Sequence, residues 1–332
     1  MDDFAEWVRV TFGLGEGPLT CSVGGHGADG EVWHLQVGSR HHAVKRPFRV
    51  VDVEALQREA DLLGHLGARG VEVPTHVTAR DGRLVVEVPD RLGGGWTRVS
   101  HWVEGTSVGG RPSEVAEPLG RLLAQLHQAA PRASEAPRAW HTRMPPPERW
   151  RDLVERSVGQ PWQAALEDAL DTLGEYAEIV EAAGSGAQPF LVGHCDLHPD
   201  NVLLAADGGL RAIDWEDAGA MDPTRELAKT LVQWHVLGEE VDEGAVAATV
   251  RAYVEAGGPG LLSGLTDFAM VMCSESNFLA HQLAVALDEG APPQRRLAAR
   301  DEITEALAGY LPGPGAIERV LRAARTSGRA AP

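Results

Sequence analysis

Asp196 and Asn201 stand five residues apart in the run His194-Cys195-Asp196-Leu197-His198-Pro199-Asp200-Asn201-Val202-Leu203-Leu204, and Asp214 follows in Leu210-Arg211-Ala212-Ile213-Asp214-Trp215. A carboxylate beside an attacking hydroxyl can orient it and take its proton. An amide oxygen and a second carboxylate can hold Mg²⁺ against phosphate oxygens. The spacing lets one loop present Asp196 and Asn201 to the same space. Leu203-Leu204, a turn at Asp207-Gly208-Gly209 and the run Leu210 to Ile213 predict a hairpin that returns Asp214 to the end where Asn201 stands. Phosphoryl transfer to a hydroxyl is the chemistry such a set suits. His194, Asp196 and His198 are also three possible donors for zinc or iron, a reading that leaves Asn201 and Asp214 unexplained.

The elements around these residues fall into two regions. Leu19 to Val23 is a short apolar run, Glu31 to Val37 alternates polar with apolar, and His41 to Lys45 follows the Gly38-Ser39 turn. All three read as strands. Val53 to Leu66 has a helical stripe at Leu56, Ala60, Leu63 and Leu66 that stops near Gly67 and Gly70. Leu84 to Val88 and Trp96 to Val103 read as two more strands, with a loop at Gly93-Gly94-Gly95. After about residue 112 helical patterns dominate, beginning with Pro118 to Gln128. Pro131 to Pro147 reads as a mobile connection or insertion, and Pro189 to Ile213 as a compact strand-and-turn region. The expectation is an α+β fold with a small β-rich N-terminal lobe and a larger, mainly helical C-terminal lobe.

The run H-C-D-L-H-P-D-N-V-L-L fits the kinase catalytic-loop pattern H-x-D-L-x-x-x-N. With I-D-W and D-P-x-x-E-L-A after it, the chain resembles the aminoglycoside phosphotransferase family, whose relatives include choline, homoserine and hydroxylysine kinases. That resemblance implies a protein-kinase-like fold that uses ATP and Mg²⁺. It implies Asp196 as catalytic base, Asn201 and Asp214 as metal ligands, and His194 as a buttress of the loop. Where the family usually has Gly between His and Asp, this chain has Cys195. The domains expected are 1–98 as the nucleotide-binding lobe, 99–105 as the hinge, and 106–332 as the lobe holding the catalytic loop and acceptor site.

A kinase also needs a strand lysine for the nucleotide phosphates and a helical glutamate to hold it. Lys45 in Ala43-Val44-Lys45 and Glu59, on what reads as the only helix of the small lobe, fill these places. Gly25-His26-Gly27-Ala28-Asp29-Gly30 formally fits G-x-G-x-x-G. A strand follows it, which suits a flap over ATP phosphates through Gly25, Gly27 and Gly30 and not a dinucleotide-binding turn. Trp102 and Val103, in the segment Val99 to Gly105, are the expected adenine contacts. Asp222 suits a helix N-cap with Pro223 at the first helical position.

The chain has 332 residues and a formal net charge of −18, from 48 acidic and 30 basic side chains. That charge disfavours nucleic acid and anionic membranes as partners and draws in cationic substrates. Its three cysteines are far apart, its N-terminus is acidic, and no apolar stretch approaches a membrane span. These features predict a cytoplasmic protein, as a monomer or homodimer. Glu216, Asp217 and Glu275 are the carboxylates singled out for a cationic, small-molecule hydroxyl acceptor. An aminoglycoside-like compound, and so a role in antibiotic resistance, is the first candidate; a metabolic kinase for hydroxylysine, homoserine or choline is the alternative. A catalytically inactive nucleotide-binding scaffold is the reading from another class, and the presence of Lys45, Asp196, Asn201 and Asp214 speaks against it.

Overall fold

The computed structural model describes residues 2–27, 30–48, 51–110, 113–184, 186 and 189–328. The chain divides into two compact units, one of Met1–Thr106 with Leu203–Asp207 and Arg211–Asp217, the other holding the remainder.

The first unit is built on an antiparallel sheet. Its strands are β1 (Leu19–Gly27), β2 (Gly30–Val37), β3 (Arg40–Pro47), β4 (His76–Val77), β5 (Val85–Glu87) and β6 (Trp96–His101), in the order β1-β2-β3-β6-β4 with β5 also pairing β6. Side chains alternate between sheet faces. Leu35, Val37, Val44 and Val99 point into an apolar core that also holds Phe4, Val8, Phe12 and Leu14. Those N-terminal residues belong to helix α1 (Asp2–Thr11) and its exit. Sequence reading had given this unit a single helix, α2 (Val53–Gly67), so α1 corrects it. Lys45 and Arg98 alternate with Val44 and Val99, and face each other in the β3–β6 register. At the tip of the first hairpin Gly30 approaches the β3 backbone so closely that a Cβ there would lie 2.6 Å from the Arg46 carbonyl. Only glycine fits.

The second unit is helical: α3 (Ala116–Ala129), α4 (Pro147–Arg156), α5 (Gln163–Ala183), α6 (Pro223–His235), α7 (Glu243–Glu255), α8 (Ala269–Ala286), α9 (Pro293–Glu305) and α10 (Pro314–Gly328). Helix α7 packs on α3 and α10, and α8 packs on α5, α6 and α9. Trp150, Trp162, Leu166, Leu279, Leu283 and Ile303 form the core shared by α4, α5, α8 and α9. Asp222 caps α6 by accepting the Thr224 N–H, with Pro223 next, as the sequence predicted. The segment 131–147 is tied down, contrary to its reading as a mobile connection. His141 is buried against Ser274, and Asn277 donates to the carbonyls of Trp140 and Arg143. Ala133 donates its N–H to the Phe190 carbonyl and Arg138 to that of Ala218, so the segment is held along its length.

Candidate active site

In the second unit the strands Leu191–Gly193 and Gly219–Met221 pair antiparallel and deliver the chain to His194. Cys195 then takes φ 65°, a left-handed conformation rare for a residue with a Cβ. This explains why glycine is the usual residue of the resembled pattern at this place. The Cys195 N–H donates to Glu226, and its carbonyl accepts from Lys229 Nζ at 2.6 Å. Trp234 Nε1 holds the Leu197 carbonyl at 2.7 Å. Three side chains of α6 thus set the path of the loop. Glu226 is in turn fixed by His127 Nε2 at 2.8 Å, while His127 Nδ1 meets the Tyr253 hydroxyl at 2.7 Å.

Asp196 emerges from this turn partly exposed, at 30% of its side chain. Its Oδ1 receives Lys229 Nζ at 3.2 Å, and its Oδ2 receives Asn201 Nδ2 at 3.2 Å and faces His198 Nε2 at 3.3 Å. A carboxylate has about four lone-pair directions, so about one stays open for an incoming hydroxyl. Burial opposes the Asp196 charge, but Lys229 and then His198 outweigh it and hold the carboxyl far below the usual range. His198 is raised in return: burial works against its charge and the Asp196 hydrogen bond overrides it. Asn201 also donates to the Asp196 carbonyl at 2.9 Å, which leaves its Oδ1, the atom able to ligate a metal, outside these bonds. Sequence spacing foresaw Asp196 beside Asn201. It did not foresee Lys229, whose place in Glu-Leu-Ala-Lys looked like any helical charge.

In the first unit Lys45 Nζ lies 3.1 Å and 3.3 Å from the two oxygens of Asp214 and 2.6 Å from Glu216 Oε1. Burial lowers the ammonium's proton affinity, yet Asp214 and Glu216 more than offset it and the Lys45 pKa is raised. Asp214 also has a left-handed backbone, φ 58°, a conformation that aspartate tolerates better than most residues. The expected Lys45–Glu59 pair is not formed. Glu59 instead takes Arg98 Nη1 through both oxygens, at 3.0 Å and 2.9 Å, and His76 Nε2 at 3.1 Å. The register places Arg98 beside Lys45 on the next strand, where its Nη1 takes both Glu59 oxygens while Lys45 is engaged by Asp214 and Glu216. Arg98 also binds Glu216. Glu216, expected to bind a cationic acceptor, is therefore already matched by Lys45 and Arg98.

The other predicted residues are placed as follows. Gly25 and Gly27 end β1 and pair with Val32 and Gly30 of β2, and Ala28-Asp29 lie outside the described residues. Trp102 donates its N–H to the His41 carbonyl at 3.1 Å, and its ring lies 4.3 Å from that of His34; Val103 is buried. Its backbone N–H is thus spent within the sheet. Asp217 is exposed. Glu275 on α8 accepts from Gln233 Nε2 at 2.9 Å; burial pushes its carboxyl up, and Lys229 pulls it partly back. Among the described residues no three His, Cys, Asp or Glu side chains are grouped to hold a metal, which disfavours the zinc or iron reading of His194, Asp196 and His198. Among the described residues, too, no helix is long and apolar enough to cross a membrane.

A sheet-based unit with a strand lysine on an Asp, and a helical unit with an Asp–Asn loop, define a protein-kinase-like fold. Residues 20–270 match the phosphotransferase enzyme family, APH, and the chain belongs to it. It is accordingly a phosphotransferase that acts on a hydroxyl group of a small molecule. Seven curated relatives match, each named homoserine kinase. That of Cupriavidus necator is 26% identical over 267 residues, which span 76% of this chain and 76% of the relative. Among solved structures, spectinomycin phosphotransferase bound to ADP and spectinomycin superposes with a TM-score of 0.62 at 13% identity, covering 98% of both chains. A microcompartment-associated aminopropanol kinase gives 0.57 at 19% identity, covering 93% of this chain and 94% of its own. At these identities the two structures bear on the fold alone.

Proposed function

We propose that the enzyme transfers the γ-phosphoryl group of ATP to the hydroxyl of an amine-bearing small molecule, with Asp196 as base. The observation that carries this is the Asp196 carboxylate, held by three donors and open on one side. In this reading residues 1–98 bind the nucleotide, 99–105 serve as hinge, and 106–332 hold the catalytic loop and acceptor. Lys45 offsets phosphate charge, the glycines of the β1–β2 hairpin cover the phosphates, and Trp102 with Val103 border the base. Glu59 contributes indirectly by holding Arg98. Asn201 Oδ1 and the Asp214 carboxylate are hard oxygen donors, the type that Mg²⁺ takes. A bound Mg²⁺ supplies charge neutralisation at the phosphates. Asp196 orients the acceptor hydroxyl and takes its proton late, as suits a reaction that depends on positioning.

The acceptor in this reading is a hydroxy amino acid of the homoserine type, supported by the names of the curated relatives and by Glu275 as a carboxyl group able to accept from the amine. An aminoglycoside is the second candidate, favoured by the net charge of −18, which draws in a polycation. A mass-shift assay with ATP against homoserine, hydroxylysine, choline, aminopropanol and aminoglycosides decides between them. The expected product is a monophosphate of a hydroxy amino acid, formed about 1,000-fold more slowly with D196N. Turnover of the aminoglycosides alone, or of choline alone, overturns the hydroxy amino acid assignment.

A further inference from the structure

Lys229 is 3% exposed, and an ammonium so buried is retained only where fixed partners match it. Its Nζ bridges two successive residues of the loop, meeting the Cys195 carbonyl at 2.6 Å and Asp196 Oδ1 at 3.2 Å. Glu226, three residues earlier on the same face of α6, accepts the Cys195 N–H. Both backbone polar groups of a left-handed residue are therefore gripped by charged side chains of one helix. Asn201 and His198 both act on Oδ2 of Asp196 and leave Oδ1 to Lys229. Without Lys229 nothing among these bonds fixes Oδ1, and the carboxylate can turn about its side-chain torsion.

We propose that Lys229 is a positioning residue for phosphoryl transfer, fixing the Asp196 carboxylate so that its open lone pair points at the acceptor hydroxyl. The inference rests on the reading of Asp196 as base. Lys229 acts through Asp196 and touches neither ATP nor acceptor. Its α6 neighbour one turn on, Gln233, holds Glu275. The same helix therefore sets both the base and the carboxylate assigned to the acceptor's amine.

K229M keeps the apolar stem and removes the charge. The expected kcat falls about 100-fold, the scale of a misplaced reacting group, while KM for ATP and for the acceptor stays within about threefold. In the D196N background K229M is expected to cost less than about twofold more, because its route of action is already gone. A kcat within about twofold of the parent, or an undiminished loss in the D196N background, overturns the proposal. If K229M does not accumulate as folded protein, K229Q replaces it, since it keeps a donor for the Cys195 carbonyl. Folded K229Q is expected to lose at least about tenfold in kcat, and parent-like turnover overturns the proposal. The clamp is also read without turnover. Unfolding midpoints of K229M, D196N and the double variant are expected to be non-additive, and additive midpoints overturn the proposal. A parent that phosphorylates no acceptor overturns the reading of Asp196 as base and this proposal with it, whereas additive midpoints in an active parent overturn the proposal alone.

Discussion

Lys45 and Arg98 face each other in the register of β3 and β6, and both bind the carboxylate of Glu216. Two cations and three carboxylates, Glu59, Asp214 and Glu216, thus share one face of the sheet. Each cation binds two of the three acids, and Arg98, at 9% exposure, is the one that takes Glu59. Breaking a buried pair by removing one partner costs more than the pair contributes, because the other charge stays behind. R98M is expected to destabilise the protein by about 3 kcal/mol in urea unfolding, and adding E59Q should restore part of that loss. An R98M variant as stable as the parent would show that Glu59 is satisfied by His76 alone.

Lys45 carries a different prediction. It is held by the exposed side chains of Asp214 and Glu216, which a nucleotide can displace or share. K45M is expected to lower kcat/KM for ATP at least about 100-fold, as for loss of a preorganised charge on the transferred group. Its unfolding midpoint should move far less than that of R98M. Nucleotide titration and urea melts, run on both variants, separate the two roles.

Cys195 tests the loop's backbone. Its φ of 65° strains any residue with a Cβ, and its side chain packs with Met221 and Met270. C195G relieves the strain and loses that packing, so its stability should lie within about 1 kcal/mol of the parent. C195V adds a β-branch in the same conformation and should cost about 2 kcal/mol or more, with a matching fall in activity. Thermal melts of the two variants order them: glycine near the parent, valine well below.

These outcomes also mark what could be read from the residues. The Asp196–Asn201 spacing, Lys45 on its strand and the Asp222-Pro223 start of α6 are local signals, and each stands where it was expected. Phe4, Val8 and Phe12 recur at helical spacing, which is a local signal for α1. The partner of Glu59 was not legible. It depends on how β3 registers against β6, across a separation that includes α2, and no local pattern reports that. Lys229 was hidden for a related reason. A lysine in a helix reads as solvated until another element covers it, and the loop that covers this one lies more than thirty residues earlier.

His141 carries a pH dependence. It is 3% exposed, and burial lowers its pKa to about 3, with Lys229 and Arg138 adding to the effect. A histidine depressed in the folded state binds fewer protons there than when unfolded. Its stabilising share is complete above about pH 6.5 and is lost as pH falls toward the folded value. Between about pH 7 and pH 5 this one group should remove about 2 kcal/mol of stability. H141N keeps a donor near Nδ1 for Ser274 and cannot titrate. Urea melts of H141N should therefore flatten over that interval, and an unchanged slope would assign the acid sensitivity to other groups such as His42, lowered to about 4 by burial.

Gly120 sets the approach of α3 to α7. A Cβ at this position would lie 2.2 Å from the Thr249 carbonyl and 2.9 Å from the Tyr253 nitrogen, both backbone atoms of α7. Neither can yield as a flexible side chain would, so the helices must separate. Separation would disturb Tyr253, whose hydroxyl meets His127, and His127 in turn fixes the Glu226 that holds the Cys195 turn. G120A is expected to cost about 3 kcal/mol of stability, the upper range for forced overpacking, despite alanine's better helix propensity. G174A on α5 is the control, because a Cβ there meets nothing within 4 Å. It should stabilise by up to about 1 kcal/mol. If the two variants shift the unfolding midpoint alike, the α3–α7 contact is looser than these distances require.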